Sequence, residues 1–208
     1  MVRLFAVVGL FGLVGCVDDV GEGKTKAVIE APVAVTAAPV APQAAGKALP
    51  VDSAKSQVGA LAAKITAKHP ITFPQFKGEL TVDADALTGV SVEVEMASLF
   101  SDVERLTTHL HNEDFFNVPA FPKATFTSTG VVAGGDGGTH TVTGDLTVHG
   151  TTKRISFPAT VQMAPTDVSA RAEFVVDRRD FGIVYPGKAD DLVQDNVVIT
   201  VQLFAPRG

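Results

Sequence analysis

The 208-residue sequence predicts a mainly β fold: an elongated eight-stranded antiparallel barrel with one short helix near its mouth. Three observations carry that expectation. From residue 51 onward, apolar and polar residues alternate with period two in eight stretches, the pattern of strands with one buried and one solvated face. Turns rich in Gly, Asp and Pro separate them, and nothing in the pattern asks for a parallel crossover. Several stretches run about ten residues, a rise of roughly 33 Å or about 25 Å of barrel height at a tilt near 40°, more than a small sandwich needs. Such a barrel has an interior wide enough for one ligand.

Residues 1–15 read as a secretory signal peptide, with Arg3 ahead of an apolar run from Leu4 to Val14 that is too short to span a membrane. Leu13-Val14-Gly15-Cys16 resembles the bacterial lipobox, whose Cys receives a diacylglyceryl group and becomes the acylated first residue after cleavage. Cys16 is the only cysteine, so its lipidation leaves no thiol for a disulfide or for catalysis. By lipoprotein sorting rules, Val17 in place of Asp points to the periplasmic face of the outer membrane. The expected location is thus the bacterial cell envelope, with the protein anchored to the membrane through Cys16. Residues 16–50, dominated by Ala, Val and Pro and broken at Pro32, Pro39, Pro42 and Pro50, read as a semi-extended tether. The domain proper is residues 51–208.

Within it, strands are expected near 57–68, 77–84, 89–97, 123–133, 139–149, 153–163, 168–177 and 195–204. The inward faces are taken from the apolar phase: Leu61, Ala63 and Ile65; Val90, Val92, Val94 and Met96; Val142, Leu146 and Val148; Ile155, Phe157, Ala159 and Val161; Val197, Ile199, Val201 and Leu203. A hairpin loop is placed at 134–138, where GGDGG accepts positive φ, and another at Asp85 to Gly89. Ser101-Asp102-Val103-Glu104 has the form of a capping box, followed by Val103, Leu106 and Leu110 at helical spacing, which predicts a helix over 102–111 with His109 and His111 in its last turn. The segment Arg178 to Gln194 is long for a loop and carries Phe181, Ile183, Val184 and Tyr185, apolar residues that a barrel mouth would bury.

The composition narrows the function. Seventeen Lys and Arg against 23 Asp and Glu give a net charge of −6 with no basic run, which argues against nucleic acid as a partner. Thirteen Phe, one Tyr and no Trp make the aromatic content almost wholly apolar, suited to burying hydrocarbon. No G-x-S-x-G, Walker A or dinucleotide fingerprint is present, and the chain is not expected to be an enzyme or to carry a cofactor. His109-x-His111 sets its two side chains about 200° apart on a helix, where a metal pair wants i, i+4, so no metal site is assigned. His69, at the end of the first strand, has two readings: a polar group at the cavity mouth that orients a ligand head group, or a histidine hydrogen-bonded to a loop where Pro70 ends the strand.

His109-Leu110, Asp114-Phe115-Phe116, Pro122, Thr125-Phe126, Ser128-Thr129, the run Gly144 to Lys153, Arg179-Asp180-Phe181-Gly182-Ile183 and Asp195-x-Val197 resemble, in order and spacing, the YceI family over about residues 51 to 204. The resemblance implies a lipocalin-like barrel enclosing a polyisoprenoid or an isoprenoid-quinone-like amphiphile, for transport, storage or stress response in the bacterial envelope. This sequence departs from the pattern at Gly59 and Ala60, where aromatic residues are common, in having no Trp, and at His111, where Arg or Lys is common. The candidate lipid-binding residues are Phe73, Phe76, Phe115, Phe116, Phe121, Phe126, Phe157, Phe174, Phe181 and Tyr185, together with His69. The expected partners are a long-chain isoprenoid lipid and the membrane, and an outward row including Val198 and Phe204 leaves room for a homodimer. Two alternatives stand beside the carrier: an envelope structural or interaction module with a filled core, and a metal enzyme using His69, His109 and His111.

Overall fold

The computed structural model describes residues 18–30 and 46–207. The signal peptide, Cys16 and residues 31–45 of the expected tether lie outside the described residues. Fourteen strands and one helix follow in order: β1 (Val28–Ile29), β2 (Lys47–Pro50), β3 (Gln57–Lys64), β4 (Ala67–Thr72), β5 (Phe76–Asp83), β6 (Ala86–Glu95), β7 (Phe100–Ser101), α1 (Glu104–His111), β8 (Lys123–Ala133), β9 (His140–Val148), β10 (Thr151–Met163), β11 (Asp167–Asp177), β12 (Gly187–Lys188), β13 (Asp191–Leu192) and β14 (Asn196–Pro206). The main sheet is antiparallel and curled, in the order β2-β5-β6-β8-β9-β10-β11-β14-β3-β4-β7. The connection from β2 to β3 is tied to β14, where Asp52 donates its N–H to the Phe204 carbonyl (2.8 Å) and Phe204 donates to Ser56 Oγ (2.9 Å).

The long strands from β5 to β14 match the sequence expectation closely, and the short ones do not. The stretch read as one strand over 57–68 is the hairpin β3–β4, which turns at Ile65 and Thr66. Lys47–Pro50 pairs with β5, so the sheet begins inside the segment expected to be tether.

The inward phase is as expected on β6, β9, β10 and β14, but inverted on β3. Rows of register partners settle it. Phe174, Ile199, Ala60 and Ile71 are successive partners across β11, β14, β3 and β4, and all face inward. One residue along, Val175, Val198 and Leu61 form an outward row. These strands are apolar on both faces locally, so alternation alone does not choose the inner one. The outer row is covered by the chain itself: Val20, 3% exposed, packs on Ala63, Val175, Val198 and Leu61.

Residues 18–30 are accordingly no free spacer. Val20 donates its N–H to Gln194 Oε1 (3.0 Å), Asn196 donates to Asp19 Oδ2 (2.9 Å), and Lys24 pairs with Glu173. Val198, offered above as part of a dimer surface, is 2% exposed beneath Val20, and Lys55 lies over the Phe204 ring at 4.7 Å. Val20 thus covers the Val198 end of the row that suggested a homodimer.

The helix forms over 104–111, but the capping box is not used. Val103 is the N-cap without a side-chain bond. The Ser101 hydroxyl donates to Asp102 Oδ1 (2.7 Å), and the same carboxylate oxygen lies 3.0 Å from His69 Nδ1. Tertiary partners outcompete the local cap.

Candidate binding cavity

The curled sheet encloses a cavity of about 210 Å³. Its wall is apolar nearly throughout. Small side chains on adjacent strands make the room: Ala60 and Ala62 on β3, Ala159 on β10, Ala170 and Ala172 on β11.

Phe73, Phe115, Phe116, Phe126, Phe157, Phe174 and Phe181 all line it. Phe126, Phe157 and Phe174 form a continuous ribbon of rings, with centroids 5.4 Å apart for the first pair and 4.1 Å for the second, which is stacked. Gly144 on β9 permits the Phe126 position: a Cβ there would fall 2.5 Å from Phe126 Cζ. Three candidate rings lie elsewhere. Phe76 packs into the sheet's hydrophobic clusters without lining the cavity. Phe121 stands edge-on to the His149 ring (4.7 Å) and against Gly150, whose Cβ would lie 2.4 Å from the Phe121 ring. His149 and Gly150, at φ 50° and 72°, form the tight turn between β9 and β10, and His149 Nδ1 sits 3.2 Å from the Phe181 carbonyl. Phe121 therefore braces a turn that holds Phe181.

Tyr185 belongs to the lid. Its ring meets His109 edge-on (5.0 Å) and Phe115 (5.1 Å), so the loop after β11 reaches over to α1 and closes one end of the cavity. His109 Nε2 is 2.8 Å from Asp114 Oδ2, His111 Nε2 is 3.3 Å from the Leu99 carbonyl, and His69 is engaged by Asp102. Each of the three histidines considered for a metal enzyme thus has a separate partner. Among the described residues no group of three or more His, Cys, Asp or Glu is placed to hold a metal. His69 lies within β4, not at a strand end, on the inward face of Ala62 and Ile71, but its side chain stops at Asp102 and does not line the cavity.

The residue that sequence reasoning missed is Arg178. It is 6% exposed, touches the cavity wall, and binds the whole loop to itself. Nη1 donates to the Ile183 carbonyl (2.9 Å), Nε to the Gln194 carbonyl (3.0 Å), and Nη2 to Asp195 Oδ1 (3.1 Å) and, more distantly, the Val193 carbonyl (3.4 Å). Burial pushes its pKa down, with Asp195 opposing the shift. The sequence offered only Arg178-Arg179 side by side, and nothing local says which one is buried.

Carboxylates fasten the same end. Asp102 is held below the usual carboxylate range by hydrogen bonds from Ser101 and then His69, Asp177 by Arg179, and Asp191 by Lys64 with help from Thr66. A lowered folded-state pKa means that each contact contributes fully above the unfolded value near 3.8 and is lost as pH falls through the lower folded value. Thermal unfolding followed from pH 7 to 2.5 is expected to show this part of the stability constant down to about pH 5 and declining below about pH 4. Asp191→Asn should flatten the acid limb; an acid limb as steep as that of the parent would remove this contact from the account.

Comparisons with known proteins agree with the architecture. The family model described as the YceI-like domain matches residues 50–205. This chain belongs to the YceI-like domain family. Among curated relatives, a UPF0312 protein of Pseudomonas putida strain GB-1 is 38% identical over 124 residues, 56% of this chain and 64% of that protein. A UPF0312 protein of Pseudomonas fluorescens strain SBW25 is 35% identical over 130 residues, 59% of this chain and 67% of the other. The match to the first thus spans less than two thirds of its length. Among solved structures, Burkholderia cenocepacia BcnA superposes with a TM-score of 0.65 at 24% identity, covering 74% of this chain and 99% of that one. A polyisoprenoid binding domain from Saccharophagus degradans gives 0.61 at 15% identity, covering 77% and 99%. These likenesses show a shared YceI-like fold with a lipocalin-type curled sheet, and the strand count differs slightly from the eight expected.

Proposed function

We propose that this YceI-like protein binds the hydrocarbon chain of a polyisoprenoid or isoprenoid-quinone-like amphiphile in its cavity, without catalysis, as a carrier or store in the bacterial envelope. The observation that carries the reading is the enclosed cavity itself, walled by seven phenylalanines and small alanines. A module with a filled core would have closed that space with larger side chains. The solved Saccharophagus degradans neighbour, described as a polyisoprenoid binding domain, supports the ligand class. Each buried CH₂ contributes about 0.8 kcal/mol, so a dozen carbons offer roughly 10 kcal/mol before association costs. A chain longer than the cavity would leave at an end with its head group outside.

The proposed location follows from Cys16, whose acylation would anchor the chain at the periplasmic face of the outer membrane. The test is direct. The protein purified from membranes of its native host is denatured, and its organic extract is analysed by mass spectrometry, with close to one long-chain isoprenoid per protein expected. A protein that comes out empty, and whose unfolding temperature ignores added quinones, would overturn the carrier reading. Cys16→Ser should move the protein to the soluble fraction; retention in the membrane would overturn the anchor.

A further inference from the structure

The barrel wall is interrupted between β10 and β11. Their ladder runs only from Thr160↔Arg171 to Met163↔Val168, and above it the two strands part. Residues 25–30 fill the gap. Val28 and Ile29 pair antiparallel with Ser156 and Ile155 on one side, while Lys26 bridges in parallel to Val175 on the other. Ala27 donates its N–H to the Val175 carbonyl (2.8 Å), Val175 donates to the Thr25 carbonyl (2.9 Å), and Glu30 donates to the Arg154 carbonyl (3.0 Å). Behind this strap, Ala27 (6% exposed) packs with the cavity-facing Phe157 and Phe174. The stacked Phe157 and Phe174 rings, one from each parted strand, line the cavity in the same cluster as Ala27.

We propose that residues 18–30 form a removable strap closing a lateral portal between β10 and β11, and that an apolar chain enters the cavity sideways when the strap lifts. The inference rests on the cavity being a binding site, but the strap's own opening is measurable without any ligand. The strap is held more weakly than the strands beside it. β1 is two residues long, with Val28 63% and Ile29 37% exposed, and the buried apolar anchors of residues 18–30 are Val20 and Ala27. Segments with few buried apolar contacts open locally at far lower cost than the whole fold. Lifting the strap frees polar backbone on both parted strands, an edge that a second strand or a lipid-facing partner would otherwise find covered.

The test uses the full-length chain with Cys16→Ser, so that only introduced thiols react. Val28 and Ser156 are directly opposed antiparallel partners, at a separation a disulfide spans, and neither lines the cavity. In Val28→Cys/Ser156→Cys, stopped-flow uptake of the fluorescent apolar probe N-phenyl-1-naphthylamine is expected to slow at least tenfold when oxidised and to recover on reduction. Val20→Asp, which unseats the strap without touching the cavity, should speed uptake. Equal rates in the oxidised and reduced forms would overturn the portal. Absence of uptake in the reduced form would instead sink the cavity reading. Independently of any probe, the amides of Ala27, Glu30 and Val175 are expected to exchange with deuterium at least tenfold faster than those of the ladder at 160–163. Equal protection would overturn the strap.

Discussion

Ala60→Phe is expected to lower the affinity for an isoprenoid chain about a thousandfold while leaving the fold in place. Ala60 sits on the cavity wall between its register partners Ile71 and Ile199, so the phenyl ring added there takes up cavity space. The ring would displace about five methylenes of ligand, about 4 kcal/mol at the usual value per buried CH₂, or close to three decades in Kd. Because the ring fills a void, the unfolding temperature should shift by only a few degrees. Titration of delipidated protein with a quinone, followed by fluorescence or calorimetry, measures both quantities. An unchanged Kd in a folded variant would mean that the ligand does not occupy this cavity.

Arg178→Met should cost about 3–5 kcal/mol of stability, the range for removing one partner from a buried, fully bonded charge. For a domain of this size that corresponds to a fall of roughly 6–20 °C in Tm. The loss is specific. The carbonyls of Ile183 and Gln194 lose their donor, while Asp195 keeps the Arg179 guanidinium at 3.0 Å. The loop carrying Tyr185 should therefore loosen first, visible as early proteolytic cleavage between 182 and 194. Arg178→Lys is expected to restore little, since an ammonium on one stem does not reach acceptors spread around a planar fork. Full rescue by Lys would mean that charge alone, and not the fork, holds the loop.

Local patterning made much of this protein legible. The alternation of Val90, Val92, Val94 and Met96, and of Val197, Ile199, Val201 and Leu203, placed those side chains on the cavity side, where they are found. Seven aromatic candidates reached the wall for the same reason: each lies on a strand of clear phase or in a turn beside the mouth. What misled was always a distant partner. Leu61 and Ala63 read as an inner face because the sequence around them does not reveal that Val20 will cover them from outside. The Ser101–Glu104 box satisfied every local rule for a cap, yet Asp102 goes to His69, thirty-three residues away. Residues 18–30 looked like the rest of an Ala/Val-rich linker, since pairing with β10 and β11 leaves no periodic trace in two-residue elements. Phe121 and Tyr185 were recognised as apolar but not as braces, because their roles depend on which loop each one meets.

The docking of residues 18–30 also sets a length. A fully extended chain spans at most about 3.6 Å per residue, so the four steps from Cys16 to Val20 reach no more than about 14 Å. Val20 is fixed in the outer surface of β3, β11 and β14. With Cys16 acylated as proposed, the barrel would ride against the bilayer with that face turned toward it, and would have no freedom to sweep through the periplasm on a long leash. Unless the strap comes away, anything the cavity exchanges would have to be handed over at the membrane surface itself.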